Sequence, residues 1–275
     1  MTDLDDWLWN TVTAPSNRGM SEVREAASAK LFSDAARALI ATNDPIVIGT
    51  GFPIGGPPET DGPPGAFALH DALLRLDKTV ALASWSEANT IFAKVRPDIE
   101  YLRIPRHAVD GEPSPELDGA CFVAIEVCGL TEDETYRDMH HNDISDLAPN
   151  FEQFIGREAL VAIGDGGNEF GMGDLPDGFF ERWNVIPPVS TAKHLLPSMV
   201  SNFGAYALVL ALQVESGKAL LPDTAAHLRC IEQLVAEGCV DGMSRKHEPK
   251  VDGHPLAETE NLLNTLANRA RTQQK

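Results

Sequence analysis

The chain has 275 residues, 43% of them apolar, a length at which a single core can bury roughly 75% of the surface the unfolded chain exposes. With 22 Lys and Arg against 41 Asp and Glu, the formal charge is −19. So acidic a surface repels phosphate backbones and anionic lipid, which argues against nucleic-acid and membrane-surface partners; attraction of metal cations and plain solubility through self-repulsion both fit the same charge.

In chain order, Val23, Ala27, Leu31, Ala35 and Leu39 recur every fourth residue and predict a helix over 21–42. The apolar run 45–49 (PIVIG) predicts a buried strand, and a Gly/Pro-rich stretch, 49–65, leads from it into a helix over 64–76. A strand follows at 79–83 (TVALA), a helix at 86–95 and a strand at 99–104, with a loop over 105–118. Two further strands are expected at 120–127 (ACFVAIEV) and 159–163 (ALVAI), and helices at 144–155, 175–183, 199–215, 224–237 and 256–271. Short apolar strands alternating with amphipathic helices predict one α/β domain, a three-layer sandwich around a mainly parallel sheet with Gly-rich loops at strand C-terminal ends. Residues 1–44 form its N-terminal helical segment, and 241–255 a linker to the last helix, which is expected to pack on the body or on a second copy in a homo-oligomer.

The cysteines Cys121, Cys128, Cys230 and Cys239 form no C-x-x-C pair, which fits a reducing cytoplasm rather than a disulfide or zinc scaffold. The start, MTDLDD, is acidic where a signal peptide is basic, and the longest mostly apolar stretch, 203–214, is too short to span a bilayer. A cytoplasmic location is expected.

Ligands of parallel sheets bind outside the carboxyl ends of the strands, where two loops are rich in glycine. The first carries Thr50, Gly51, Glu59 and Asp61 and runs into a helix N-terminus that favours anions. It lacks the G-x-x-x-x-G-K-[ST] of a nucleotide-phosphate loop. The second, 164–174, holds five glycines and three carboxylates in eleven residues and misses the G-x-G-x-x-G spacing because position 169 is Glu. Asp165, Asn168 and Glu169, framed by Gly166 and Gly167, suit a hard divalent cation, Mg²⁺ or Mn²⁺. Solvated acids in tight turns are the plain alternative for both loops. Glu126, ending an apolar strand, is expected to be paired, metal-bound or of raised pKa, or else simply to leave for solvent. In His140-His141, neighbours that point apart, at most one faces a site. Ser201 and Asn202 near the start of an apolar helix could hold a carboxylate or serve as ordinary caps. No G-x-S-x-G and no H-E-x-x-H is present.

The strings TGFPI, PPETDGPPGA, AIE, IGDGGNEFGMG and SNFGAYAL, in this order over residues 45–212, resemble the C-terminal domain of D-glutamate cyclase. The resemblance implies a lyase that closes D-glutamate to 5-oxo-D-proline with loss of water. This chain departs from the pattern at two places. The family commonly reads I-E-R-x-G where Glu126 is here followed by Val127-Cys128-Gly129, so an arginine able to grip a carboxylate is missing. An acidic residue often follows the TVALA-like strand, but here Ser84-Trp85-Ser86 precedes Glu87. The expected chemistry places Asp165 and Glu169 on a metal and Glu59 or Asp61 on metal or as general base. Glu126 would take the substrate ammonium and Asn202 a carboxylate of this small amino-acid substrate. A metal-dependent phosphatase or hydrolase using the same acids, and a non-catalytic metabolite-binding protein, are the alternatives.

Overall fold

The computed structural model describes residues 3–14, 18–26, 31–108 and 112–273. Its main sheet has six strands, β1 (Ile46–Thr50), β2 (Val80–Ser84), β3 (Tyr101–Arg103), β4 (Cys121–Ile125), β5 (Glu158–Gly164) and β6 (Thr191–Pro197), in the order β3-β2-β1-β4-β5-β6. Every neighbouring pair is parallel. The central strands read as almost unbroken apolar runs because both faces of such a sheet are covered.

The two-residue side-chain period divides these strands between two cores. Ile46, Ile48, Val123, Ile125, Val161 and Ile163 join the larger one, packed under α2 (Leu31–Ala41), α3 (Pro63–Arg75) and α7 (Ser201–Ser216). Val47, Phe122, Ala124 and Ala162 point the other way, into a thinner layer closed by Phe151 of α5 (Phe151–Ile155) and by Phe170. The Phe122 ring lies 5.2 Å from Phe151 and 5.1 Å from Phe170, centroid to centroid. Helix α7 is buried on all sides from Ser201 to Gln213, as its continuous apolar sequence requires. The remaining helices are α1 (Leu4–Thr13), α4 (Ser86–Val95), α6 (Asp177–Trp183), α8 (Thr224–Glu237) and α9 (Leu256–Gln273), and α9 packs on α7 and α8. No helix of the described residues is long and apolar enough to cross a membrane.

Strands β1 and β4 are neighbours, with Thr50 beside Ile125, yet the chain leaves β1 towards β2 and β4 towards β5. Loops that diverge in this way open a crevice at the carboxyl edge, the usual ligand position of such sheets.

Several expected elements differ. The helix over 21–42 is a 3₁₀ segment, Met20–Ala26, and then α2, with residues 27–30 outside the described set. Asp5 of α1 marks the start of α2, because its Oδ1 accepts from the Phe32 and Ser33 backbone N–H groups at 2.8 and 2.9 Å. The helix over 144–155 shrinks to its last turn, since Pro149 disfavours helical backbone before it and the Asn150 side chain caps the short helix that remains. Strand β6 carries Lys193 and His194 along a sheet edge, so its sequence lacks the apolar signature of the central strands. The stretch 241–255 contains a small hairpin, β7 (Lys250–Val251) and β8 (His254–Pro255), and comes back to the crevice. Residues 109–111 of the expected 105–118 loop lie outside the described residues.

Candidate active site

Both glycine-rich loops reach the same rim. They wall a common pocket lined by Glu59, Asp61, Glu126, Asp165, Asn168 and Glu169. Three of these acids, Asp61, Glu126 and Asp165, are buried and can bring one oxygen each within 4.8 Å of the others.

Asp61 is fixed by backbone. Its Oδ1 accepts from the N–H of Gly62 (2.9 Å) and of Asn202 (2.8 Å), and its Oδ2 from that of Ser201 (2.7 Å). An acid from the β1 loop thus caps α7, satisfying donors that a helix start leaves open. The Asn202 side chain returns the favour. Its Oδ1 accepts from the N–H of Gly62 (3.1 Å) and Gly65 (2.7 Å) at the start of α3, and its Nδ2 donates to the Thr60 carbonyl (3.0 Å). The two helix starts are therefore locked face to face. Gly62 must be glycine, because at φ +96° a Cβ would stand 2.7 Å from Thr50 Oγ1 and 2.8 Å from Glu126 Cβ.

Glu126 holds a left-handed φ of +51°, a conformation that costs a non-glycine residue about 1–3 kcal/mol and is concentrated at functional sites. The bend turns its carboxylate to α7, where Ser201 Oγ donates to Oε2 at 2.6 Å. Asp165 takes the guanidinium of Arg18 on Oδ1, while its buried Oδ2 has no partner among the described residues. Arg18 also donates to Asp252 Oδ1 at 2.8 Å. Glu169 turns back on its own loop, accepting from the N–H of Asp165 (3.3 Å) and Gly166 (2.7 Å) on Oε1 and from that of Gly167 (2.7 Å) on Oε2. The Glu59 carboxylate is buried against Gly242 and takes no hydrogen bond from the described residues.

Crowding buried acids together raises their pKa values. Burial and the neighbouring Asp252 push Asp61 up to about 7 despite its three N–H partners. Burial, then Asp61 and Asp252, hold Glu59 well above the carboxylate range. Glu126 is raised well above it by burial, then by Asp165 and Glu169. Burial also raises Asp165 well above it, opposed by Arg18.

Other expected site residues lie behind this wall. Thr50 is buried under the crevice with its Oγ1 unpartnered among the described residues, and Gly51 faces Ser84 and Trp85. The N–H groups of Gly166 and Gly167 are taken by Glu169, and the Asn168 Nδ2 donates to the Arg137 carbonyl at 3.0 Å. Of the histidine pair, His140 lines the pocket and His141 Nε2 meets the Asn184 carbonyl at 2.7 Å. Arg18, Asp252, Met139, Met243 and Arg245 also line it, and sequence reasoning passed over all five. They sit in polar stretches without motif, although Gly19 and Gly253, beside Arg18 and Asp252, mark turns.

The geometry can be set against known proteins. The D-glutamate cyclase-like, C-terminal family model matches residues 11–267. The human protein "D-glutamate cyclase, mitochondrial" is 30% identical over 236 aligned positions, covering 73% of this chain and 37% of that protein. The chain therefore spans little more than a third of the length of this relative. Among solved structures, RecJ of Thermus thermophilus in complex with Mn²⁺ gives a TM-score of 0.37 at 13% identity, covering 98% of this chain and 42% of that one, a likeness too slight to carry an inference. On a match that spans the whole main sheet and both glycine-rich loops, the chain belongs to the D-glutamate cyclase-like, C-terminal family.

Proposed function

We propose that the protein is a lyase that closes D-glutamate to 5-oxo-D-proline and water, assisted by a divalent cation. The observation that carries this reading is the buried acid triad Asp61, Glu126 and Asp165 at the β1–β4 crevice, in a chain of this family. The residues fit a cation. The triad offers hard oxygen donors, suited to Mg²⁺ or Mn²⁺, and Asp165 Oδ2 is a buried oxygen with no partner among the described residues. Three clustered carboxylates are costly to bury without positive charge beside them. Such a cation, held by Asp61, Glu126 and Asp165, would polarise the carboxyl group under attack and offset charge developing on its oxygens.

The reaction forms one C–N bond and breaks one C–O bond. The α-ammonium gives up two protons and the departing γ-carboxyl oxygen gains two, so no net proton is exchanged with solvent. The protein needs a group that takes protons at nitrogen and returns them at oxygen, and its pKa must lie well above that of an ordinary carboxylate. Glu59 has these properties, being buried, free of hydrogen bonds from the described residues and raised in pKa. The acidic wall suits the ammonium of an amino-acid substrate. Asp61, locked to α7, and Glu126, held by Ser201, keep the triad in place, and orientation of the curled substrate supplies much of the rate.

The test starts from protein stripped with chelator and resupplied with Mn²⁺ or Mg²⁺. Chiral chromatography should show D-glutamate consumed and 5-oxo-D-proline formed, and calorimetry should show Mn²⁺ uptake that Asp165→Ala abolishes. Protein that binds the cation and leaves D-glutamate untouched would sink the reading.

A further inference from the structure

Arg18 comes from a part of the chain that carries no motif, yet it enters the pocket beside the triad. Its position is set by packing. Gly19 adopts φ +77°, where a Cβ would run into the Trp183 indole, and its carbonyl accepts from the Glu22 N–H at 2.8 Å. Met20 next to it is fully buried. The guanidinium then divides between two acids, Asp165 of the triad and Asp252 at the tip of the β7–β8 hairpin. The turn holding Asp252 is itself tied down, because Asp241 accepts from the Gly253 N–H at 2.6 Å.

A dicarboxylate entering this pocket meets acids on nearly every side. The arginines lining it are Arg18 and Arg245. Arg245 is more than half exposed and stands 3.6 Å from Asp138, whereas Arg18 is three-quarters buried and adjoins the triad. Arg18 also meets Asp165 on the oxygen opposite the unpartnered one. A cation held by Asp165 would therefore not have to displace the guanidinium from Oδ1.

We propose that Arg18 is the residue that receives the α-carboxylate of the substrate and so favours molecules that carry a carboxylate besides the one that reacts. This inference rests on the cyclisation reading above. A planar guanidinium matches a carboxylate with paired N–H donors, which an ammonium cannot do. Asp252 holds the fork in place until the substrate arrives.

The experiment measures binding, so that turnover is not needed. Mn²⁺-loaded protein is titrated in a calorimeter with 5-oxo-D-proline and with 2-pyrrolidinone, the same ring without its carboxylate. The wild type should bind the acid about ten- to a hundredfold more tightly, the value of one charge-assisted interaction. Arg18→Gln should lose that preference, bind 2-pyrrolidinone as before and take up Mn²⁺ at least as well, since a positive charge beside the triad has gone. Arg18→Lys, which keeps the charge and lacks the fork, should retain part of the preference, and it decides the matter if Arg18→Gln melts too low to use. Retained preference in a folded Arg18→Gln, or full preference in Arg18→Lys, overturns the assignment. Loss of Mn²⁺ uptake in both variants also overturns it, by making Arg18 a prop for Asp165. A wild type that binds neither ring brings down the cyclisation reading and the role of Arg18 with it.

Discussion

The two glycine-rich loops each carry a buried acid that grips backbone N–H groups, and they use it in opposite ways. In the loop after β1, Asp61 reaches out of its own segment to the start of α7, and Asn202 of α7 reaches back to the start of α3. In the loop after β5, Glu169 closes on residues 165–167 just before it. One acid joins elements distant in sequence and also stands in the triad, while the other shapes the loop that presents Asp165. Charge and neighbouring glycines do not separate these roles, and hydrogen-bond partners do.

The contrast can be broken in three ways. Asp61→Ala should have the largest effect, removing Mn²⁺ uptake and leaving the Ser201 and Asn202 N–H groups without an acceptor, at a cost of about 2–4 kcal/mol. An unshifted urea midpoint would show that Asp61 does not hold α7. Glu169→Gln should cost less, about 1–3 kcal/mol, and weaken Mn²⁺ uptake less than tenfold because its oxygens serve the loop. Mn²⁺ uptake lost with an unchanged melt would make both loops ligand loops and erase the difference. The mildest probe is pH. In metal-free protein Asp61 is raised from 3.8 to about 7, so the folded state holds this proton more tightly than the unfolded chain does. Its contribution is complete below pH 4 and is lost as pH rises through 7, at about 1.4 kcal/mol per unit for one group. Melting temperatures from pH 4.5 to 7.5 should therefore fall in chelator and fall less, or rise, with Mn²⁺. A chelated protein that gains stability over that range would contradict the raised value.

The central strands and both loops were legible in the sequence because each has a local cause. Buried parallel strands such as 121–125 must be apolar on both faces, and a crowded turn such as that at Gly62 must lack a side chain. Family strings that run through both loops carried the same information. Edge strand β6 was illegible, because exposed Lys193 and half-buried His194 interrupt its apolar run at a sheet margin. The short α5 was overextended because apolar spacing through Ile144 and Leu147 ignored Pro149. Arg18 and Asp252 could not be found, since their meeting beside Asp165 depends on how stretches of chain 147 and 87 positions apart fold together. Roles within the loops also lay beyond the sequence, which places Asp61 and Glu169 in similar surroundings and says nothing of which N–H groups each one meets.

Glu126 closes β4 in a backbone conformation that glycine or asparagine would take with less strain, and it keeps a carboxyl group out of water. A library of this protein selected only for heat resistance should therefore accumulate replacements at position 126 early, and the hardiest survivors should be inert. On the proposed function, durability and turnover would pull this single position in opposite directions.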